Sequence, residues 1–145
     1  MRLMPYGPRA RSLLLVLLAL PALSAGPALA APPAPSASHH HTATQISRFL
    51  ASFYGENGPT AYDREYRVSQ VLKDKQEANP QADVLLCSQN RPLGVGIGPV
   101  TVAQSAGVGW ATVTTRWAAD ATDTFTAYVR LDSLPIRLDD VICAG

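Results

Sequence analysis

The hydrophobic period changes near Pro92, and that one switch restricts the chain to folds in which helices precede strands. Upstream, Ile46, Phe49, Leu50 and Phe53 fall at i, i+3, i+4 and i+7, one face of a helix. Thr42 and Gln45 in "TATQ" have capping-box spacing: the hydroxyl accepts from the Gln45 backbone N–H while the Gln45 side chain reaches back. Two glycines and a proline in "GENGP" stop this helix near Gly55. A second helix is predicted over 61–78, with Tyr62, Tyr66, Val68, Val71 and Leu72 spread over a broad arc and "KDKQE" as its solvated end. It stops at "ANP", where Pro80 holds Asn79 away from helical geometry.

Downstream the period is two. Val95, Ile97, Val100 and Val102 alternate with small or polar residues, and Gly98-Pro99 implies a bulge or bend in one long strand. "VGWATVTTRWA" follows a tight Ser-Ala-Gly turn. "DTFTAYVRL" sets Phe125, Ala127, Val129 and Leu131 against Thr124, Thr126, Tyr128 and Arg130, the pattern of a half-buried strand. "PIRLDDVIC" is the last strand, after an Asp132-Ser133 turn. The expectation is an α+β domain: two N-terminal helices packed on one face of an antiparallel sheet of about four strands.

What precedes Thr42 reads differently. Arg2, Arg9 and Arg11, the apolar run "SLLLVLLALPAL" and the small-residue "ALA" at Ala28–Ala30 are the three parts of a secretory signal over 1–30, with cleavage after Ala30 or Ala31. The apolar run of about 12 residues is short of the roughly 20 a membrane-spanning helix needs. Residues 31–41 form a Pro/Ala/Ser/His linker, and 42–145 a single domain of about 100 residues with one core. His39, His40 and His41 are adjacent rather than spaced like metal ligands, so no metal and no cofactor is expected.

Cleavage would remove three of the 12 basic residues and none of the 11 acidic ones, leaving a net charge of −2. No basic stripe is left for nucleic acid, and no anchor for a membrane after cleavage. The expected setting is secreted or periplasmic.

The order helix with "FLASFY", second helix, "ADVLLCSQNRP", strands and a terminal "IRLDDVIC" resembles secreted bacterial proteins of unknown function with a nuclear-transport-factor-like (cystatin-like) fold, a curved sheet wrapped around helices as a cone. The likeness covers about residues 44–143. Its more specific parts are the segment around Asp83 and Cys87 and the closing hydrophobic-Asp-Asp-hydrophobic-Cys strand. It implies a fold and an extracytoplasmic setting but no activity, because the wider superfamily mixes isomerases, dehydratases, immunity proteins and binding domains.

Two cysteines in a small exported domain favour a disulfide, and Cys87 with Cys143 is the single intrachain pairing available. The resemblance makes that pairing geometrically reasonable, since the final strand of such a cone passes close to the segment entering the first strand. A redox or zinc role lacks CxxC spacing, and a cysteine nucleophile lacks a histidine within the domain.

No catalytic set is assembled in the sequence. Asp139 and Asp140 are adjacent and point to opposite faces of a strand unless a bulge intervenes, so one is expected in solvent and the other capping a turn or paired with Arg130 or Arg137. Trp110 and Trp117 are an odd number of residues apart, one expected in the core and the other at a cavity mouth or contact patch. Tyr62, Tyr66, Trp110 and Asp83 are the candidate ligand-binding residues, and none is assigned as catalytic. The leading expectation is non-catalytic binding of a small apolar ligand or a protein partner at the open end of the cone. The alternatives are an isomerase- or dehydratase-like enzyme, which needs a Tyr and an Asp converging in a pocket, and a secreted inhibitor or immunity protein, which would show a filled interior and an exposed aromatic patch.

Overall fold

The structure is a computed structural model that describes residues 39–144; the expected secretory signal over 1–30 and the expected linker up to residue 38 lie outside the described residues. Three helices, α1 (Ala43–Tyr54), α2 (Ala61–Tyr66) and α3 (Gln70–Glu77), come before four strands, β1 (Gly94–Ala103), β2 (Val108–Arg116), β3 (Thr122–Arg130) and β4 (Leu138–Cys143). The strands form one antiparallel sheet in the order β1-β2-β3-β4, a meander whose neighbours in sequence are neighbours in space. The domain is α+β, as its periodicity requires.

α1 starts where the sequence indicates. The Gln45 backbone N–H donates to Thr42 Oγ1 (3.3 Å), and the Thr42 N–H donates to Gln45 Oε1 (2.8 Å). Its apolar stripe, Ile46, Phe49, Leu50 and Phe53, is buried against inner-face residues of the sheet, among them Ala111, Val113, Phe125, Ala127 and Val129. Each such large side chain contributes about 1.5–3 kcal/mol when fully withdrawn from water. Phe53 and Tyr54 meet edge-on with centroids 5.0 Å apart, and Tyr54 continues to Phe125 at 5.6 Å. Side chains thus fill the space between helix and sheet.

The expected single helix over 61–78 is two helices. α2 ends at Tyr66 with Arg67 as its C-cap, and Val68 forms a parallel bridge to Leu138. The Ser69 N–H donates to the Leu138 carbonyl (2.8 Å), the Leu138 N–H donates to the Arg67 carbonyl (2.9 Å), and Ser69 Oγ donates to the Asp139 carbonyl (2.8 Å). Ser69 then caps α3 by accepting from the Leu72 N–H (3.2 Å). Packing explains the break: Asp63, Val68 and Leu72 are all buried, yet at 100° per residue they would spread over half the circumference of a continuous helix. Interrupting the helix resets the phase and puts all three inside.

The bend at Gly98-Pro99 is present as a register shift between Ile97 and Val100 in the β1–β2 ladder. A short 3₁₀ turn, Gln104–Ala106, and Gly107 at φ 68° lead into β2. Val113, Thr115, Phe125, Ala127, Val129 and Leu131 point inward. Neither tryptophan belongs to that interior. Trp110 alternates with buried Gly109 and Ala111 and so occupies the opposite sheet face beside Tyr128 (centroids 6.0 Å apart), while Trp117 is half-buried just past the end of β2. The expectation that one of them would be core is overturned because the core near β2 is already filled from α1: a Cβ on Gly109 would stand 2.5 Å from Ile46 Cδ1.

A second register shift, between Tyr128 and Val129 on β3, pairs Val129 with Leu138 and Tyr128 with Asp140, leaving Asp139 as the extra residue of a bulge. The expected arginine partner is not the one used. Asp140 accepts from Lys75 Nζ of α3 (2.9 Å), which also donates to the Val141 carbonyl (2.7 Å). His40 and His41, assigned to the linker by sequence, are bonded to the body: His40 Nδ1 to Gln104 Oε1 (2.8 Å), His41 Nε2 to the Ser133 carbonyl (2.7 Å) and the His41 N–H to the Leu131 carbonyl (2.9 Å).

Cys87 and Cys143 form a disulfide with their Cα atoms 5.5 Å apart, tying the last residue of β4 to the loop before β1. Cys87 sits at φ 52°, the left-handed region, which costs a non-glycine residue about 1–2 kcal/mol.

Two outcomes test this architecture. Replacing both cysteines by serine should lower stability in urea denaturation by up to about 4 kcal/mol, the loop-entropy value for a crosslink spanning 56 residues. Gly109→Ala should cost about 1–3 kcal/mol by overpacking Ile46, and combining it with Ile46→Val should recover part of that loss.

Candidate functional site

α2 is six residues long, too short to be stable alone, and is held by side chains at both ends. At its start a second capping box operates: the Asp63 N–H donates to Thr60 Oγ1 (3.2 Å), and Asp63 Oδ2 accepts from the Thr60 hydroxyl (2.6 Å) and N–H (3.2 Å). At its end Arg67 Nη1 donates to Asp63 Oδ1 (2.8 Å) and to Ser52 Oγ (3.1 Å), while its guanidinium lies 4.9 Å from the Phe49 ring centroid. Arg67 therefore fastens α2 to α1 by charge, hydrogen bond and ring face together. The signal for the second box, Thr60 followed three residues later by Asp63, was present in "PTAYD".

Tyr62 and Tyr66 occupy successive turns of this clamped helix with ring centroids 4.9 Å apart. They are 65 % and 62 % exposed, and Val71 at the start of α3 is 70 % exposed. Trp110 is not with them, since it lies on β2, on the sheet face turned away from α1.

Asp83 is elsewhere again, and its bonds describe a loop organiser. Its backbone N–H donates to the Ser88 carbonyl (2.7 Å) and its carbonyl accepts from the N–H groups of Leu86 (3.3 Å) and Ser88 (3.2 Å). Its Oδ1 accepts from the Leu85 N–H (3.0 Å), and its Oδ2 pairs with Arg64 Nη2 (2.5 Å). The loop so closed buries Val84, Leu85 and Leu86 and presents Cys87 to Cys143.

The Arg64–Asp83 pair forms part of a cleft of about 530 Å³ that also takes in Asn57, Pro59, Thr60, Leu86 and Gln89–Arg91. Neither Arg64 nor Arg91 was singled out from sequence, because a lone arginine among polar residues carries no spacing signature.

Tyr54 Oη is fully buried without a hydrogen-bond partner. Burial first, and then the negative charge of Asp83, push its phenol far above the ordinary range, with Arg64 opposing. Such a hydroxyl stays protonated and is a poor proton-transfer group near neutral pH. Among the described residues no tyrosine hydroxyl is hydrogen-bonded to a carboxylate, and no three His, Cys, Asp or Glu side chains are placed to hold a metal ion.

Two carboxylates are shifted in opposite directions. Burial by itself raises the Asp63 carboxyl, but the Thr60 and Arg67 hydrogen bonds hold it below its usual range. Asp139, in the β4 bulge, is raised by burial and by the charges of Asp140 and Asp132, with Arg130 opposing. A depressed carboxyl contributes stability that is present above the unfolded-state value, about 3.9, and lost as pH falls through the folded-state value; a raised one favours the fold below the unfolded-state value, and that contribution is lost as pH rises through the folded-state value. Asp63→Asn should therefore cost about 2 kcal/mol at neutral pH and flatten the acid limb of a stability–pH curve. Asp139→Asn should instead raise the melting temperature at pH 7 and leave it little changed near pH 3, where the native carboxyl is already protonated.

Comparison of the chain with protein-family models, with curated proteins and with solved structures finds no match.

Proposed function

We propose that this chain is an exported, non-catalytic binding domain that recognises a protein partner through the tyrosine pair of α2. The observation that carries the reading is the exposure of Tyr62 and Tyr66 on a helix pinned at both ends. Tyrosine supplies a large amphipathic contact at low conformational cost, and a ring already fixed by its helix and its neighbour loses little freedom on binding. An inhibitor or immunity role is one form of this reading.

The filled space between α1 and the sheet supports contact at the surface over an apolar ligand held inside. The isomerase- or dehydratase-like alternative gains no support, because its Tyr and Asp would have to meet in a pocket. We also propose that the fold is of the nuclear-transport-factor-like kind; helices followed by a four-stranded antiparallel meander are what support that assignment. Export is supported by the disulfide, which persists in oxidising compartments, together with the signal-like N-terminus.

A paired-bait experiment tests the reading. The mature protein and a Tyr62→Ala/Tyr66→Ala variant of equal melting temperature are used to capture proteins from the extracytoplasmic fraction of the source organism, with quantitative mass spectrometry as readout. A partner retained by the native bait and reduced at least about tenfold by the variant is expected, the effect of losing one strong hot spot. Identical captures from both baits would refute the assignment.

A further inference from the structure

The cleft beside α2 has a charge arrangement that neither the tyrosine pair nor the fold requires. Its lining contains two cations, Arg64 and Arg91, and one anion, Asp83. Each guanidinium is oriented by its Nε, which donates to a backbone carbonyl of the α1–α2 connection: Arg64 to Pro59 (3.3 Å) and Arg91 to Asn57 (3.2 Å). Arg64 spends one further donor on Asp83. Arg91 is exposed, and among the described residues neither of its Nη groups has an acceptor within the protein. The side-chain amides of Gln89 and Asn90 line the same cleft and make no hydrogen bond to the described residues, while Pro59, Ala61 and Leu86 supply an apolar component.

We propose that this cleft binds a small polar carboxylate, its anion taken end-on by the two Nη groups of Arg91 and its hydroxyl or amide substituents by Gln89 and Asn90. Two parallel N–H donors in the guanidinium plane match the two oxygens of a carboxylate. The lining charge is +1, so a monoanion neutralises it; a phosphate dianion would leave excess negative charge facing Asp83, whose carboxylate is held in place by the Leu85 N–H and by Arg64. The volume, about 530 Å³, falls in the range of small-molecule sites. The guanidinium is fixed before the ligand arrives, because Nε is already committed to Asn57, which lowers the ordering cost of binding.

The test is an NMR titration of the isotope-labelled mature protein, following the Nε–Hε signals of Arg64 and Arg91 and the amides of Gln89, Asn90 and Arg91. Probes are gluconate, N-acetylglycine, inorganic phosphate and chloride at constant ionic strength. Saturable shifts confined to the cleft are expected with at least one carboxylate, weaker with phosphate and absent with chloride. Arg91→Gln should weaken that binding about tenfold or more, and Arg48→Gln, a cation on α1 outside the cleft, should leave it unchanged. Should Arg91→Gln unfold the protein, Asn90→Asp, which places a second negative charge in the lining, should weaken carboxylate binding by a similar factor. The proposal is overturned if no carboxylate gives saturable cleft shifts, if phosphate binds more tightly than every carboxylate, or if the Arg91 or Asn90 substitution leaves affinity unaltered.

Discussion

β4 is fastened at both ends, and much of the remaining architecture is arranged around those two fastenings. At its start Leu138 exchanges backbone hydrogen bonds with Arg67 and Ser69, so the strand is captured by the gap between two helices. At its end Cys143 is covalently joined to Cys87. The first attachment requires the helical segment to break at Val68, and the second requires the Asp83 loop to turn far enough to bring Cys87 to positive φ. The backbone strain at Cys87 is small beside the loop-closure entropy that the crosslink removes from the unfolded chain.

These attachments also settle how the sheet treats its edges. A free strand edge is a template for unwanted pairing. On the β4 side the edge is occupied by residues 67–69 and by α3, with Lys75 reaching the Val141 carbonyl. On the β1 side the bulge at Gly98-Pro99 interrupts the ladder, and Pro99 has no N–H to offer. Pairing by strand addition is therefore disfavoured at both edges.

What the sequence revealed follows from how locally each feature is specified. The α1 cap, its apolar stripe, the bend at Gly98-Pro99 and the inward face of β3 each depend on residues within a few positions of one another, and all were legible. The break at Val68 was not, because its cause is Leu138, seventy residues away; read alone, "DREYRVSQVLK" contains no glycine or proline to stop a helix. The roles of Asp139 and Asp140 were missed for a related reason: the bulge that separates them is set by the register against Tyr128 and Val129, and Lys75 reaches Asp140 from another element. Asp83, named from sequence as a candidate ligand-binding residue, holds its own loop together and lines the cleft with Arg64 and Arg91, which have no motif of their own.

The tyrosines of α2 are hard to explain as structural residues. Their mutual contact at i, i+4 stabilises a helix by only about 0.2–0.5 kcal/mol. Asp63 and Arg67 already fix that helix through several bonds each, so polar residues at 62 and 66 would serve stability nearly as well. Two large rings held in water by a rigid element carry a solvation cost that folding does not recover, whereas a partner covering them would recover it. The same clamp that makes the rings unnecessary for the fold also keeps them ordered, and it is this exposure on a rigid element that the proposed recognition role would use.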